Sequence, residues 1–138
     1  MQYLLIPRLA LDAPGGPCFQ TMIMHELGMM ESALALVQRY ATEQNARRVE
    51  RVVLRIGTLS GVDPESLRFA FDVVSRGTTA EGAAFEIESV PAAVFCRTCQ
   101  KEFAGENRGF IFQCPTCGDF CGEIRTGREI ELGRLEFS

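Results

Sequence analysis

The chain has 138 residues, 46% of them hydrophobic and 23% charged, and a formal net charge of −4. That length holds one sizeable core or two small ones and excludes a large enzyme with a deep multi-domain cleft, while fourteen Lys and Arg against eighteen Asp and Glu exclude the strongly basic surface of non-specific nucleic-acid binding. No apolar run approaches the roughly 20 residues of a membrane span, and a single histidine excludes multi-histidine catalytic metal sites and Ser/His/Asp or Cys/His triads unless His25 itself serves.

Residues 1–23 carry Pro7, Pro14, Gly15, Gly16 and Pro17 with no sustained helical or strand period, and are expected to form a disordered N-terminal extension. The segment has no basic n-region, and Arg8 and Asp12 interrupt its apolar patch, so it does not resemble a signal peptide. From Glu26 to about Ala46, Leu27, Met30, Leu34, Val37 and Ala41 recur at steps of three and four, which is one stripe of an amphipathic helix about five turns long. Val49 to Ile56 sets Val52, Leu54 and Ile56 on one face against Val53 and Arg55 and ends at Gly57, as a strand does. Arg47, Arg48 and Arg51 read as a solvated helix end and strand edge rather than a phosphate patch.

Asp63-Pro64-Glu65 supplies an N-cap, a proline at the first helical position and an acid in the first turn. A second helix is expected from Pro64 to about Arg76, burying Leu67, Ala70, Phe71 and Val74 and stopping at Gly77. Residues 84–90 alternate as a strand, with Phe85 and Ile87 against Glu86 and Glu88. After a cysteine-rich segment, residues 129–137 alternate again, with a bulge expected at Gly133 before Leu135 and Phe137.

These elements predict an α+β fold: a small three-stranded sheet covered by two helices, with an inserted zinc-ribbon domain. The expected division is 24–91 plus 124–138 for the α/β body and 92–123 for the insert, after the extension of 1–23.

The insert holds four of the six cysteines in two Cys-x-x-Cys pairs, Cys96/Cys99 and Cys114/Cys117, fourteen residues apart. This is metal-ligand spacing, and the absence of cysteine from 24 to 95 is unlike a disulfide framework. Zn(II) suits four thiolates because it has no geometric preference of its own and is borderline soft. Gly109 and the strand-like Phe110-Ile111-Phe112 between the pairs would complete a ribbon whose core is too small to fold without the ion. Four protein sulfurs leave no coordination position for water or substrate, so Lewis-acid catalysis at this ion is not expected and the site reads as structural or regulatory. Cys121 follows Cys117 by four and is a spare able to exchange with it; its simpler role, and that of Cys18, is a partly buried small residue. Reduced thiols fit a cytoplasmic setting. Thiol redox catalysis fits poorly, because neither pair is followed by a helical period.

Met24-His25-Glu26-Leu27, leading into Gly28-Met29-Met30-Glu31-Ser32, resembles the opening of the HypA/HybF nickel metallochaperones, the hydrogenase nickel-insertion accessory family. The paired cysteine module about seventy residues later and a closing Arg128-Glu129-Ile130-Glu131-Leu132 resemble that family too, so the likeness covers 24–138. The resemblance implies a carrier of Ni(II) to a [NiFe]-hydrogenase large subunit precursor, with a GTPase accessory protein as partner. It implies His25 as the nickel-binding residue, Glu26 as the adjacent acid supporting delivery and partner contact, and Cys96, Cys99, Cys114 and Cys117 as zinc ligands. Met24 enters through its α-amine: with His25 as residue two, that amine, nearby amide nitrogens and the imidazole would surround one ion in the tetragonal nitrogen arrangement Ni(II) favours. The family opens with Met-His-Glu, whereas here 23 residues precede it and turn the Met24 nitrogen into an amide. Met24 or Met22 is therefore the expected natural start. No later histidine is available as a further ligand. The alternative from the residues alone is a zinc-ribbon adaptor for protein or nucleic acid, the acidic balance opposing the latter. Neither nucleic acid nor membrane is expected as a partner, and a long insert between strands of one sheet permits a homodimer or a domain swap.

Overall fold

A computed structural model describes residues 2–10, 22–105 and 112–138, with side chains for 2–4, 26–105 and 112–138. Cys18, most of the Gly/Pro cluster, Gly109, Phe110 and Ile111 lie outside the described residues. The chain divides into two units, one of 1–55, 62–88 and 131–138, the other of 56–61 and 89–130.

The first unit is built on a four-stranded sheet of order β1-β9-β2-β3, from β1 (Gln2–Ala10), β9 (Ile130–Phe137), β2 (Val49–Gly57) and β3 (Ala84–Val90). The fourth strand corrects the three-stranded expectation. Gln2–Ala10 pairs antiparallel with β9, with Gln2 opposite Phe137 and Ala10 opposite Glu131. Its register breaks between Leu5 and Leu9, around Pro7, which has no N–H to donate. An edge strand held by backbone pairing needs no two-residue period, which is why residues 2–10 carry no strand signature of their own.

Helix α1 (Met22–Glu43) starts earlier than expected, so Met24, His25 and Glu26 lie inside its first turns rather than before it. No capping residue or proline falls between Met22 and Glu26 to mark a start there. It buries Met29, Met30, Ala33, Leu34, Val37 and Ala41. Its end, three residues short of Ala46, is a Schellman closure: Asn45 takes φ of 53°, Asn45 N donates to Thr42 O at 3.1 Å and Ala46 N to Ala41 O at 2.8 Å.

Helix α2 (Pro64–Val74) begins as its sequence dictates. Asp63, in extended backbone, accepts from Glu65 N at 3.3 Å and from the Ser66 hydroxyl at 2.8 Å. Leu67, Ala70 and Phe71 are buried and Val74 is half-buried. The Phe71 ring stacks on Phe85 of β3 at 4.7 Å, which seats α2 on the sheet, and α1 packs along α2.

On the other sheet face, Arg55 of the central strand bridges Glu131 of β9 at 3.0 Å and Glu88 of β3 at 3.7 Å, while Arg51 pairs with Glu136 at 2.8 Å and with Glu86. Arg51 is thus neutralised on a central strand. Gly133 makes room for Arg55, since a Cβ there would come within 2.9 Å of the arginine stem. Leu132 and Leu135, three apart, are both fully buried, which is the slip in alternation expected around Gly133.

The second unit contains a three-stranded sheet, β5-β4-β8, from β4 (Ala93–Cys96), β5 (Lys101–Ala104) and β8 (Glu123–Thr126), and a two-stranded ladder of β6 (Phe112–Gln113) and β7 (Phe120–Cys121). It reaches further than 92–123, because Leu59 joins Ala92, Val94 and Phe112 in its core, packed by Phe103, Cys121 and Ile124. Two glycines close it. Gly57 N donates to Glu129 O and Leu59 N to Gly127 O, each at 2.7 Å, and a Cβ on Gly57 would stand 2.0 Å from Gly127 O. Gly57→Ala therefore clashes with backbone, whereas Gly122→Ala meets nothing within 4 Å. Urea unfolding is expected to show a loss of more than about 2 kcal/mol for the first and less than about 0.5 kcal/mol for the second; equal stabilities would refute this packing.

Candidate metal centres

Two hairpins bring the four cysteines together. Strand β4 delivers Cys96 and turns back into β5 through a left-handed Gln100, φ 55°, with Cys96 opposite Lys101. In that turn Cys99 N points at Cys96 Sγ, 3.5 Å away. The second turn follows β6: Cys114 N donates to Asp119 O at 2.8 Å, Gly118 N to Cys114 O at 2.9 Å, and Gly118 takes φ of 78°. Both turns aim amide N–H groups at thiolates, which is how Cys-x-x-Cys knuckles stabilise negative sulfur.

Cys96 Sγ lies 3.6 Å from Cys117 Sγ and Cys99 Sγ lies 3.8 Å from Cys114 Sγ, with all four sulfurs within 4.8 Å of one another. These separations exceed a disulfide's ~2.05 Å and match the roughly 3.8 Å sulfur–sulfur edge of a tetrahedron with zinc–sulfur bonds of about 2.3 Å. Four thiolates at tetrahedral spacing fit zinc, and Cys96, Cys99, Cys114 and Cys117 would hold it. Cys96 and Cys114 are buried, Cys99 is half-buried and Cys117 is exposed.

The free thiols are unequal. The Cys117 and Thr116 amides hold Cys114 down to about 6, and the Cys99 amide lowers Cys96. The Cys117 thiol and burial push Cys99 up to about 12, and burial with the neighbouring Cys96 thiol pushes Cys121 up to about 11. Zinc requires all four ligands as thiolates, so its affinity falls with acid. Zinc affinity is therefore expected to fall steadily between about pH 7.5 and pH 5.5 in competition with a coloured chelator, and an affinity independent of pH would refute ligation by four thiolates.

The second candidate is the start of α1. Glu26 is only 2% exposed, and its Oε1 accepts from Asp63 N at 3.4 Å, joining the first turns of α1 to the N-cap of α2. Its Oε2 is buried without a hydrogen-bond partner among the described residues. The backbones of Met24 and His25 lie in the first turn of α1; their side chains are outside the described residues. The sequence marks Asp63 as a helix cap. No local pattern announces that its amide meets Glu26, 37 residues away.

A family model described as hydrogenase/urease nickel incorporation, metallochaperone, HypA matches residues 24–137. The chain is 46% identical over 114 residues to the hydrogenase maturation factor HypA of Roseiflexus sp. (strain RS-1), covering 83% of this chain and 92% of that one. It is 39% identical to that of Picosynechococcus sp., covering 82% and 98%. Its fold is similar to the solution structure of the Ni metallochaperone HypA from Helicobacter pylori, with a TM-score of 0.57 and 26% identity over 81% of this chain and 96% of that one. A second HypA solution structure gives 0.64, also at 26% identity, over 83% and 97%. With the family model matching most of its length, and with the cysteine tetrahedron and the Met-His-Glu turn in place, the chain belongs to the HypA family of nickel metallochaperones.

Proposed function

We propose that Met24, His25 and Glu26 form the nickel-binding end of this carrier, with the His25 imidazole as the principal ligand. A nickel metallochaperone of hydrogenase maturation is not an enzyme, and its task is to hold Ni(II) firmly enough to collect it and loosely enough to give it up. The observation that carries the site assignment is the position of Glu26. A carboxylate 2% exposed, tied to Asp63 N and with one oxygen unpartnered among the described residues, anchors the turn in which His25 sits. With α1 starting at Met22, the amides of Met22, Ile23 and Met24 have no intrahelical acceptor, so the Met24 nitrogen beside His25 is not committed to the helix ladder. Imidazole and amide nitrogens suit the tetragonal geometry of Ni(II). Where Met24 opens the chain, its α-amine adds a further nitrogen, and amine and imidazole must both lose protons, so nickel binding weakens on acidification.

The zinc-loaded cysteine unit, residues 56–61 and 89–130, plays the structural part. The recipient is a [NiFe]-hydrogenase large subunit precursor, and the partner in delivery is a GTPase accessory protein. These steps belong in the cytoplasm, where free thiols stay reduced; no described helix is long and apolar enough to cross a membrane.

His25→Ala is expected to lower nickel affinity at least 100-fold, measured by competition with a coloured chelator, while leaving one zinc per chain. Equal nickel affinity in both proteins would refute the assignment of His25.

A further inference from the structure

A fifth cysteine stands beside the zinc tetrahedron and has no role in it. In the β6–β7 ladder Phe112 faces Cys121 and Gln113 faces Phe120, and the bond from Cys114 N to Asp119 O at 2.8 Å extends the pairing by one more step. Alternation along this ladder puts Phe112, Cys114, Asp119 and Cys121 on one side and Phe120 on the other. Burial agrees: Phe120 is 76% exposed, whereas Cys121 is half-buried and packs against the core formed by Leu59, Ala92, Val94 and Phe112. Cys121 is thus a diagonal cross-strand neighbour of the zinc ligand Cys114, a relation that spans about 7–8 Å between Cα atoms and less between side chains. Its thiol makes a long contact, 3.5 Å, to Asp119 O and neighbours the Cys96 thiol of the tetrahedron. Across the metal site, Cys117 is the exposed member of the four.

We propose that Cys121 is a reserve zinc ligand that replaces Cys117 on the ion, so that the centre keeps four sulfurs when Cys117 lets go. The inference rests on the reading of the cysteine tetrahedron as a zinc site. The exchange is balanced: the Cys121 thiol gives up its proton as its sulfur bonds zinc, the zinc–Cys117 bond breaks, and the departing thiolate takes up a proton. Coordination number and charge are unchanged, and no oxidant is required. Sequence spacing permits it as well, since Cys114 with Cys121 retains two ligands from the second hairpin. The consequence for the carrier is a zinc unit that stays closed while its most accessible ligand is released, for example to a partner or an alkylating reagent.

The test uses the full chain in two forms, loaded with Co(II) for optical absorption and loaded with zinc for X-ray absorption at the zinc edge. Wild type, Cys121→Ser and Cys117→Ser should each bind one metal with four sulfurs and the same thiolate-to-cobalt absorption; Cys117→Ser/Cys121→Ser should lose about one quarter of that intensity and show three sulfurs. Three sulfurs already in Cys117→Ser would overturn the proposal, and so would failure of that variant to retain metal. A second measurement avoids substitution altogether. Zinc-loaded wild type treated with limiting iodoacetamide should yield chains alkylated at Cys117 or at Cys121, never at both, with zinc retained in each. Alkylation confined to Cys121 in zinc-bearing chains would overturn it. A wild-type chain that binds no metal would instead fail the zinc reading itself.

Discussion

A small core cannot hold the second unit, and the four-sulfur tetrahedron is what makes its fold viable. The unit packs around Leu59, Ala92, Val94 and Phe112, with strands of two to four residues that bury little surface. Clusters of this size do not repay the conformational entropy of the loops they order, so the ion's binding energy is folding energy. The hairpin turns reflect that demand. Gln100 and Gly118 adopt left-handed backbone so that each Cys-x-x-Cys can curl its amides onto its own sulfurs. Zinc saturated in this way supports structure rather than catalysis.

The proposed nickel end obeys a different constraint. On the assignment to Met24, His25 and Glu26, the site lies at the start of a helix, where the first backbone nitrogens are unsatisfied, and so stays open to a second set of ligands. Glu26 supplies the rigidity that an open turn lacks. Its buried carboxylate is tied to the residue that caps α2, so the orientation of the Met-His-Glu turn depends on a contact between two helices rather than on local sequence alone.

Much of this was legible in the residues, and the failures have physical causes. Asp63-Pro64-Glu65 marks the start of α2 because capping chemistry is local, and the two Cys-x-x-Cys pairs mark the zinc site because a metal imposes its spacing on the chain. The strand at Gln2–Ala10 was not legible, since its pairing is dictated by the edge of β9 and broken around Pro7. The start of α1 at Met22 was missed because no cap separates it from Glu26. Leu59 in the core of the second unit and the Asp63 amide on Glu26 are long-range placements with no periodic signature. Cys121 was visible as a spare thiol, but its side of the β6–β7 ladder is a matter of register that only pairing decides.

The central claim is that this chain carries nickel at the Met24–Glu26 end while zinc stays in the cysteine unit. Its most direct test is a calorimetric nickel titration of zinc-loaded protein, comparing the 138-residue chain with one that begins at Met24 and determining the metal content of both. The account predicts about one nickel per chain for the form beginning at Met24, weaker binding where the Met24 nitrogen is an amide, and unchanged zinc in each. No nickel bound by either form, with zinc fully loaded, would contradict it.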